Sequence, residues 1–406
     1  LAAAGKSDDL VRVLMAPAAW VALEYARAHL LTGFPWVLLG YSQASYLPLI
    51  QIADTTGVWG ISFVIMAVNT ALFLVVRRIR DDTAPSPARA AIVAGALLIS
   101  VAVYGFMKMS LVDRNAADWT PITAAIAQGS IDQSVKWDAS MEDRTLEIYS
   151  ELTLDAADKG ARLIVWPETA MPFYYEKYRV EKGIPGRTAK KARSFILTGS
   201  PSYIYNASKG GYDFYNSAYL LSPEGETLGR YDKVHLVPFG EYVPLRTLLP
   251  FVSKLTSGIG DFAEGAGPVP IMLGKDGLGI LICYEAIFPE IARAAVKNGA
   301  TLLVNITNDG WFGRTSAPYQ HLDMTVLRAV ENRSYLVRSA NTGISAIIDP
   351  VGRVVDKTAL FERTVLVSKV RFRQGAMSFY TMYGDIFAIG STVIVCLFAL
   401  SISRRR

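Results

Sequence analysis

One cysteine in this sequence occupies a position suited to covalent chemistry. Cys283 ends the apolar run Gly279-Ile280-Leu281-Ile282 and precedes a predicted helix. At such a junction the helix N-terminus favours the thiolate, and the backbone N–H groups that follow can donate to a developing oxyanion. For an isolated residue, a buried and inert cysteine is the more common alternative. The second cysteine, Cys396, lies in a C-terminal apolar run, so we expect no disulfide between them.

Two charged residues stand at comparable positions. Glu168 follows the apolar run 163–166 and Pro167, where a partly desolvated carboxylate could take the thiol proton and later return it. Lys233 precedes an apolar run rich in turn residues, and its ammonium could stabilise an oxyanion. Taken separately, a capping acid and an exposed lysine are sufficient explanations. Because each of the three residues ends a β-like segment, the combination favours a shared Glu-Lys-Cys site.

Other kinds of site have little support in the sequence. Its three histidines, His29, His235 and His321, lack the spacing of metal ligands, so we predict neither a metal nor a cofactor. We interpret His235 and His321 as structural. A serine hydrolase is disfavoured because no Gly-x-Ser-x-Gly elbow is present. The net charge of +5 comes with arginine clusters beside apolar runs, which indicates membrane topology and no nucleic-acid partner.

Part of the chain is apolar enough for lipid. Its 406 residues are 51% hydrophobic, with a mean hydropathy of +0.26. Since a spanning helix needs about 20 apolar residues, we predict spans at 58–76, 90–107 and 386–403. A fourth run, 10–31, has the length but contains four polar groups that must face a partner helix or the interface. These are Arg12, Glu24, Arg27 and His29.

The arginine clusters predict the orientation of these spans. Short cytoplasmic loops collect Lys and Arg. One such cluster brackets the loop between the spans 58–76 and 90–107, and another follows the span 386–403. They comprise Arg77, Arg78, Arg80, Arg89 and Arg404 to Arg406. Residues 115–375 would then lie outside the cytoplasm. Because the sequence begins with Leu1, we interpret it as part of a longer protein that has earlier membrane helices.

The elements that must position the chemical residues lie between about 121 and 372. There, short β-rich runs alternate with polar helical stretches, which indicates an α/β domain. We predict strands at 122–127, 163–166, 195–199, 218–222, 279–283, 302–306 and 345–349, and helices at 141–159, 287–298 and 319–339. Similar Pro-containing turns at 221–225 and 348–352, each followed by a second strand, predict a layered sandwich with internal pseudo-symmetry.

Three motifs now define a resemblance: Trp166-Pro167-Glu168, the run 232–241 (DKVHLVPFGE) and Cys283-Tyr284-Glu285. In order and spacing they resemble the Glu-Lys-Cys triad of the nitrilase superfamily. Further motifs resemble its apolipoprotein N-acyltransferase branch: 238–244 (PFGEYVP), 308–313 (NDGWFG), 333–335 (RSY) leading to 340–343 (ANTG), and 32–36 (TGFPW). The match covers nearly the whole chain, although that family has more membrane helices upstream.

The resemblance implies a fold and a set of roles. The fold would be α/β, a nitrilase-type α-β-β-α sandwich at 115–375 inserted between transmembrane helices at 1–114 and 376–406. Glu168 would be the general base, Lys233 the oxyanion stabiliser and Cys283 the nucleophile. Supporting residues would be Glu241, which orients the lysine, and Tyr284 and Glu285, which line the site. Trp137 and Trp311 match substrate-binding or gating aromatics, with core packing as the alternative.

The implied reaction transfers an acyl chain from a membrane phospholipid, through a cysteine thioester, to the α-amine of a diacylglyceryl-modified apolipoprotein. The protein would be a multi-pass protein of the bacterial inner membrane with its catalytic domain on the periplasmic side. Two alternatives stay open. One is a membrane-tethered amidase with the same triad, and the other is a catalytically silent receptor for lipid or peptide.

Overall fold

The computed structural model describes residues 9–177, 183–242 and 262–404. Arg405, Arg406 and the Val243-Pro244 end of one motif lie outside the described residues. The chain divides into two compact units: a helical unit of Leu1–Ala117, Asp323–Arg333 and Ala376–Arg406, and a second unit of Asp118–Leu322 and Ser334–Gly375. The predicted catalytic domain included Asp323–Arg333, whereas these residues pack with the helical unit.

The helical unit contains seven complete α-helices among its described residues, together with residues 323–332 of a helix that begins in the second unit. They are α1 (Asp9–His29), α2 (Leu47–Ile50), α3 (Ala53–Thr56), α4 (Val58–Arg80), α5 (Ala88–Ala117), α10 (Phe379–Tyr383) and α11 (Ile386–Ser403). By length and composition, α4, α5 and α11 can cross a membrane, in agreement with the three predicted spans. Helix α1 forms as expected but is not among these candidates, because its charged residues make it too polar.

Two buried carboxylates of the helical unit, Glu24 and Asp54, have partners inside it. Glu24 of α1 accepts the N–H of Leu39 at 2.7 Å, so this helix does turn a charged group toward a neighbouring segment. Asp54 is buried and contacts Arg333 at 2.9 Å and Lys108 at 2.9 Å. A buried carboxylate of this kind requires paired charges, because removing an unpaired charge from water is costly.

The second unit is a sandwich of two six-stranded sheets. The first sheet has the order β12-β1-β2-β3-β4-β5 and the second β11-β10-β9-β8-β7-β6. Strands of the first sheet are β1 (Pro121–Gln128), β2 (Leu163–Val165), β3 (Phe195–Asn206), β4 (Gly211–Leu221), β5 (Thr227–Asp232) and β12 (Thr364–Arg371). Those of the second are β6 (Ile271–Leu273), β7 (Asp276–Ile282), β8 (Ala300–Thr307), β9 (Leu336–Ala340), β10 (Ala346–Ile348) and β11 (Val354–Lys357).

The two sheets repeat one pairing pattern. In each, three parallel strands, β1-β2-β3 and β7-β8-β9, are extended by antiparallel neighbours on both sides. Apolar side chains of both inner faces, such as Val165 and Ile280, share one buried core. Helices α6 (Glu142–Asp158) and α7 (Ile184–Ala192) cover the first sheet, and α8 (Pro289–Lys297) packs on the second. The predicted α/β sandwich with pseudo-symmetry is therefore confirmed.

Several predicted boundaries need correction. The predicted helix 319–339 is wrong over its last residues: α9 (Ala317–Asn332) ends, Arg333 adopts φ +49°, and β9 follows. Every residue of β9 is buried between β8 and β10, so a short apolar run cannot reveal whether it is helix or strand. Strand β7 ends at Ile282, one residue before the predicted end, and β6 and β12 were not predicted.

Candidate active site

Three predicted chemical residues of the second unit follow strand ends. Glu168 lies three residues after β2, whereas Lys233 and Cys283 come directly after β5 and β7. Glu168 and Lys233 are buried, and Cys283 is partly buried. The charges of Glu168 and Lys233 both act on the Cys283 thiol. The structure therefore brings the three residues together, as the sequence analysis expected.

Cys283 has an unusual backbone. Its φ is +50°, a left-handed conformation that side-chain-bearing residues seldom adopt, and it opens a short 3-10 helix, Cys283–Ile287. Burial and the neighbouring carboxylate of Glu168 raise the pKa of the Cys283 thiol to about 12, against the opposing charge of Lys233. The residue therefore rests as a thiol, and it needs a base before it can act as a nucleophile.

The Glu168 carboxylate is held by two donors. Asn216 donates from Nδ2 to Oε1 at 2.8 Å, and the backbone N–H of Asn308 donates to Oε2 at 2.9 Å. Asn308 lies at the end of β8, so this bond joins the two sheets of the sandwich at the site. Because both oxygens accept hydrogen bonds, the position and orientation of the carboxylate are fixed.

Lys233 is paired with Glu241. Its Nζ lies 2.8 Å from Oε2 and 3.0 Å from Oε1 of that carboxylate. Burial disfavours the ammonium, but the negative charges of Glu241 and Glu168 outweigh it and hold the pKa of Lys233 above its usual range. The amide of Asn216 also donates to Glu241, at 2.9 Å, so this residue contacts both carboxylates. Lys233 thus presents a permanent, oriented positive charge.

Glu285 connects two segments of the site through its hydrogen bonds, and its role in lining the site stays a prediction. It is fully buried, and it accepts from Tyr231 Oη at 2.9 Å, from Val234 N–H at 2.6 Å and from Ile282 N–H at 2.7 Å. Burial raises the pKa of Glu285 to about 7. One side chain therefore ties the segment after Lys233 to the end of β7. Its neighbour Tyr284 is half-buried, with its ring 5.0 Å from that of Phe288.

The two tryptophans expected at the site are on the surface. Trp137 is 57% exposed and Trp311 is 67% exposed. Exposed aromatic area of this size is not core packing, which was the alternative explanation. Their contribution to substrate binding stays a prediction.

A second buried lysine that was not predicted lies at the site. Lys136 is 2% exposed, and its Nζ donates to the backbone carbonyl of Glu168 at 3.2 Å. Burial lowers the pKa of Lys136 to about 8, although Glu168 and Cys283 oppose this. Asn216 and Asn308 were also not recognised as ligands of Glu168. Asn308 opens the motif 308–313, which was singled out without this role. Lys136 and Asn216 carry no local signal, because each reaches the site from a different segment of the chain.

Comparison with known proteins identifies the family. A carbon-nitrogen hydrolase profile matches residues 123–375, and a profile for the apolipoprotein N-acyltransferase N-terminal domain matches residues 1–71. The apolipoprotein N-acyltransferase of Geobacter metallireducens is 48% identical over 97% of this chain and 75% of its own. The chain belongs to the apolipoprotein N-acyltransferase family. The Rickettsia prowazekii family member is 34% identical, over 93% of this chain and 74% of its own.

Family membership identifies an acyltransferase enzyme and a bacterial membrane protein with apolar helices able to span a bilayer. Among solved structures, a carbon-nitrogen hydrolase from Helicobacter pylori G27 is 19% identical, with a TM-score of 0.47 over 61% of this chain and 89% of its own. In this chain the region that matches the N-terminal-domain profile precedes the region that matches the carbon-nitrogen hydrolase profile.

Proposed function

We propose that this protein transfers an acyl chain from a membrane phospholipid, through a thioester on Cys283, to the N-terminal α-amine of diacylglyceryl-cysteine in apolipoproteins. The observation that carries the proposal is the convergence of Glu168, Lys233 and Cys283 in a member of this family. The paired contacts Lys233–Glu241 and Asn216–Glu168 support it, because they orient a cation and a base beside one thiol.

In the first half-reaction, Glu168 takes the thiol proton as the sulfur of Cys283 attacks the ester carbonyl carbon of the phospholipid. A C–S bond forms, and the carbonyl oxygen becomes an oxyanion that the Lys233 ammonium stabilises. The ester C–O bond then breaks, and Glu168 returns its proton to the leaving lysophospholipid oxygen. The acyl chain stays on sulfur.

In the second half-reaction, the α-amine of the acceptor attacks the thioester carbonyl, and Glu168 takes a proton from the attacking nitrogen. The new C–N bond is an amide, and the C–S bond breaks to release the thiolate of Cys283, which recovers the proton from Glu168. Amines displace thiolates readily, so the thioester suits this step. Water must be excluded for transfer to compete with hydrolysis.

The membrane helices fit substrates that are themselves anchored in lipid, because diffusion within one leaflet then brings donor and acceptor to the enzyme. We propose that α4, α5 and α11 span the inner membrane as parts of a multi-pass protein. The basic residues Arg77, Arg78 and Arg80 in the last turn of α4 favour a cytoplasmic end there, and they support our proposal that the catalytic unit is periplasmic. Trp137 and Trp311 are proposed to contact substrate at its entry.

The test is the intact mass of the full-length protein after incubation with a phospholipid of defined acyl length. We expect an acyl-sized increment that hydroxylamine removes and that a diacylglyceryl-cysteine peptide discharges. Cys283→Ala and Glu168→Gln should carry no increment, whereas Cys396→Ala, which removes the exposed second thiol, should retain it. No adduct from the folded wild type would reject the acyltransferase mechanism and favour an amidase or a silent receptor.

A further inference from the structure

His321 contacts the backbone of the proposed nucleophile. It lies on α9, is 1% exposed, and places Nε2 3.2 Å from the backbone carbonyl oxygen of Cys283. A carbonyl oxygen can only accept a hydrogen bond, so Nε2 must carry the proton. The imidazole therefore donates to the main chain of Cys283, on the side away from solvent.

The opposite edge of the imidazole ring contacts the ion pair of Asp309 and Arg338. Nδ1 lies 3.1 Å from Oδ1 of Asp309 and 3.1 Å from Nη2 of Arg338, and that Nη2 also donates to Oδ2 of Asp309 at 2.7 Å. Burial and the Arg338 charge lower the pKa of His321, so its ring is neutral near pH 7. In the neutral ring with Nε2 protonated, Nδ1 is an acceptor, and Arg338 supplies the donor.

The contact with Cys283 determines the direction of a second group. The described residues contain no cis peptide bond, so the peptide between Cys283 and Tyr284 is trans and planar. In a trans peptide the C=O and the N–H point in opposite directions. Because the carbonyl of Cys283 points at His321, the N–H of Tyr284 points away from it. Rotation of this peptide plane, next to a residue with φ +50°, would turn both groups together.

We propose that His321 is a positioning residue that holds the Cys283–Tyr284 peptide plane, so that the N–H of Tyr284 donates to the oxyanion formed when Cys283 attacks an acyl group. The inference deepens the proposed function and rests on Cys283 being its nucleophile. Lys233 and the Tyr284 N–H then stabilise the oxyanion together, and His321 acts only through the peptide.

Three variants separate this role from simple packing. In His321→Gln the side-chain amide nitrogen can occupy the place of Nε2 and donate to the carbonyl. In His321→Asn the amide reaches only the place of Nδ1, so the bond to Cys283 is lost although the residue stays polar. His321→Phe keeps the ring without a donor. All three are compared as full-length protein, with melting temperatures recorded.

Two reactions of Cys283 are then measured on each variant. Alkylation by iodoacetamide needs the thiolate but forms no oxyanion, whereas acylation by p-nitrophenyl butyrate or by phospholipid passes through one. We expect His321→Asn and His321→Phe to slow acylation on the order of a hundredfold, which is the cost of removing one oxyanion donor. The rate of alkylation should change less than about threefold in both variants. His321→Gln should recover acylation to within about tenfold of the wild type.

The proposal is overturned if acylation and alkylation fall together, which would mean that His321 supports the thiol or the fold, or if His321→Asn acylates at the wild-type rate. Failure of the proposed function has a different signature. Wild type would then be acylated by p-nitrophenyl butyrate but not by phospholipid, and the His321 series could still be scored on the activated ester.

Discussion

The Nδ2 atom of Asn216 lies 2.8 Å from Oε1 of Glu168 and 2.9 Å from Oε1 of Glu241. One amide therefore connects the proposed general base to the carboxylate that orients Lys233. The amide donates to two anions, a role that neither a carboxylate nor an apolar side chain can replace. Asn216 is 6% exposed, so water has little access to take its place.

Asn216→Asp tests this connection with a substitution that keeps the size of the side chain. Three carboxylates would then converge beside one lysine, and like charges at this distance resist joint ionisation. We expect acyl-enzyme formation, measured by intact mass against time, to slow at least about tenfold. Asn298→Asp, at an exposed asparagine, is the matched control and should acylate normally. An unimpaired Asn216→Asp would remove Asn216 from the site.

Lys233→Met is expected to lower both activity and stability. It removes the oxyanion charge, so acylation should fall at least about a hundredfold. It also leaves Glu241 without its cation, which costs about 3 kcal/mol when one partner of a buried pair is lost.

The double variant Lys233→Met/Glu241→Gln separates these effects. Removing the orphaned charge should recover most of the stability, measured by denaturant unfolding, while acylation stays low. Recovery of activity in the double variant would show that Lys233 acts only by neutralising Glu241.

Lys136 predicts an alkaline limit to activity. The pKa of this buried lysine is lowered to about 8, so above that pH it loses the charge that favours the thiolate of Cys283. We expect the acylation rate to decline above pH 8. Lys136→Arg, which keeps its charge, should move the decline to higher pH. Lys136→Met should acylate slowly at every pH and show no decline above pH 8. Lys275→Met, at an exposed lysine, should leave the wild-type profile. A wild-type decline that persists in Lys136→Met would assign it to another group.

The same lysine predicts a change in stability with pH. Between about pH 8 and 10.5 the unfolded chain keeps a proton on Lys136 that the folded protein has lost. Because the unfolded state binds more protons, the free energy of unfolding should rise with pH in this window. In Lys136→Met this contribution should vanish. An equal slope in both proteins, from unfolding at several pH values, would contradict the lowered pKa.

Glu285→Gln should weaken the hydrogen bonds that hold the backbone next to Lys233 and Cys283. Glutamine keeps one acceptor oxygen but adds an NH2 group, which would face the N–H of Ile282 or of Val234. At least one buried donor then loses its partner, at a cost of about 1–3 kcal/mol. We expect a lower melting temperature and slower acylation. Glu290→Gln, on the first turn of α8, is the control. Normal acylation despite a lower melting temperature would limit Glu285 to a role in stability.

Local sequence was sufficient to predict those helices and strands whose apolar pattern extends over many residues. The long apolar runs predicted α4, α5 and α11, and short β-rich runs predicted five of the six parallel strands, namely β1, β2, β3, β7 and β8. Over 334–339 the same reasoning produced helix instead of β9. A strand buried on both faces lacks the alternation of apolar and polar residues that distinguishes a strand from a helix. The helix ends at Arg333 through a left-handed backbone conformation, which the residue type does not predict.

The sequence by itself determined which three residues are proposed for catalysis, because Glu168, Lys233 and Cys283 occur in ordered motifs after strand-like runs. Only the tertiary structure decided what surrounds them. Lys136, Asn216 and His321 come from separate segments, and no local pattern relates a lysine at 136 to a carbonyl at 168. Burial supplies the remaining information: desolvation and nearby charge shift a pKa, and both depend on which distant segments the fold brings together.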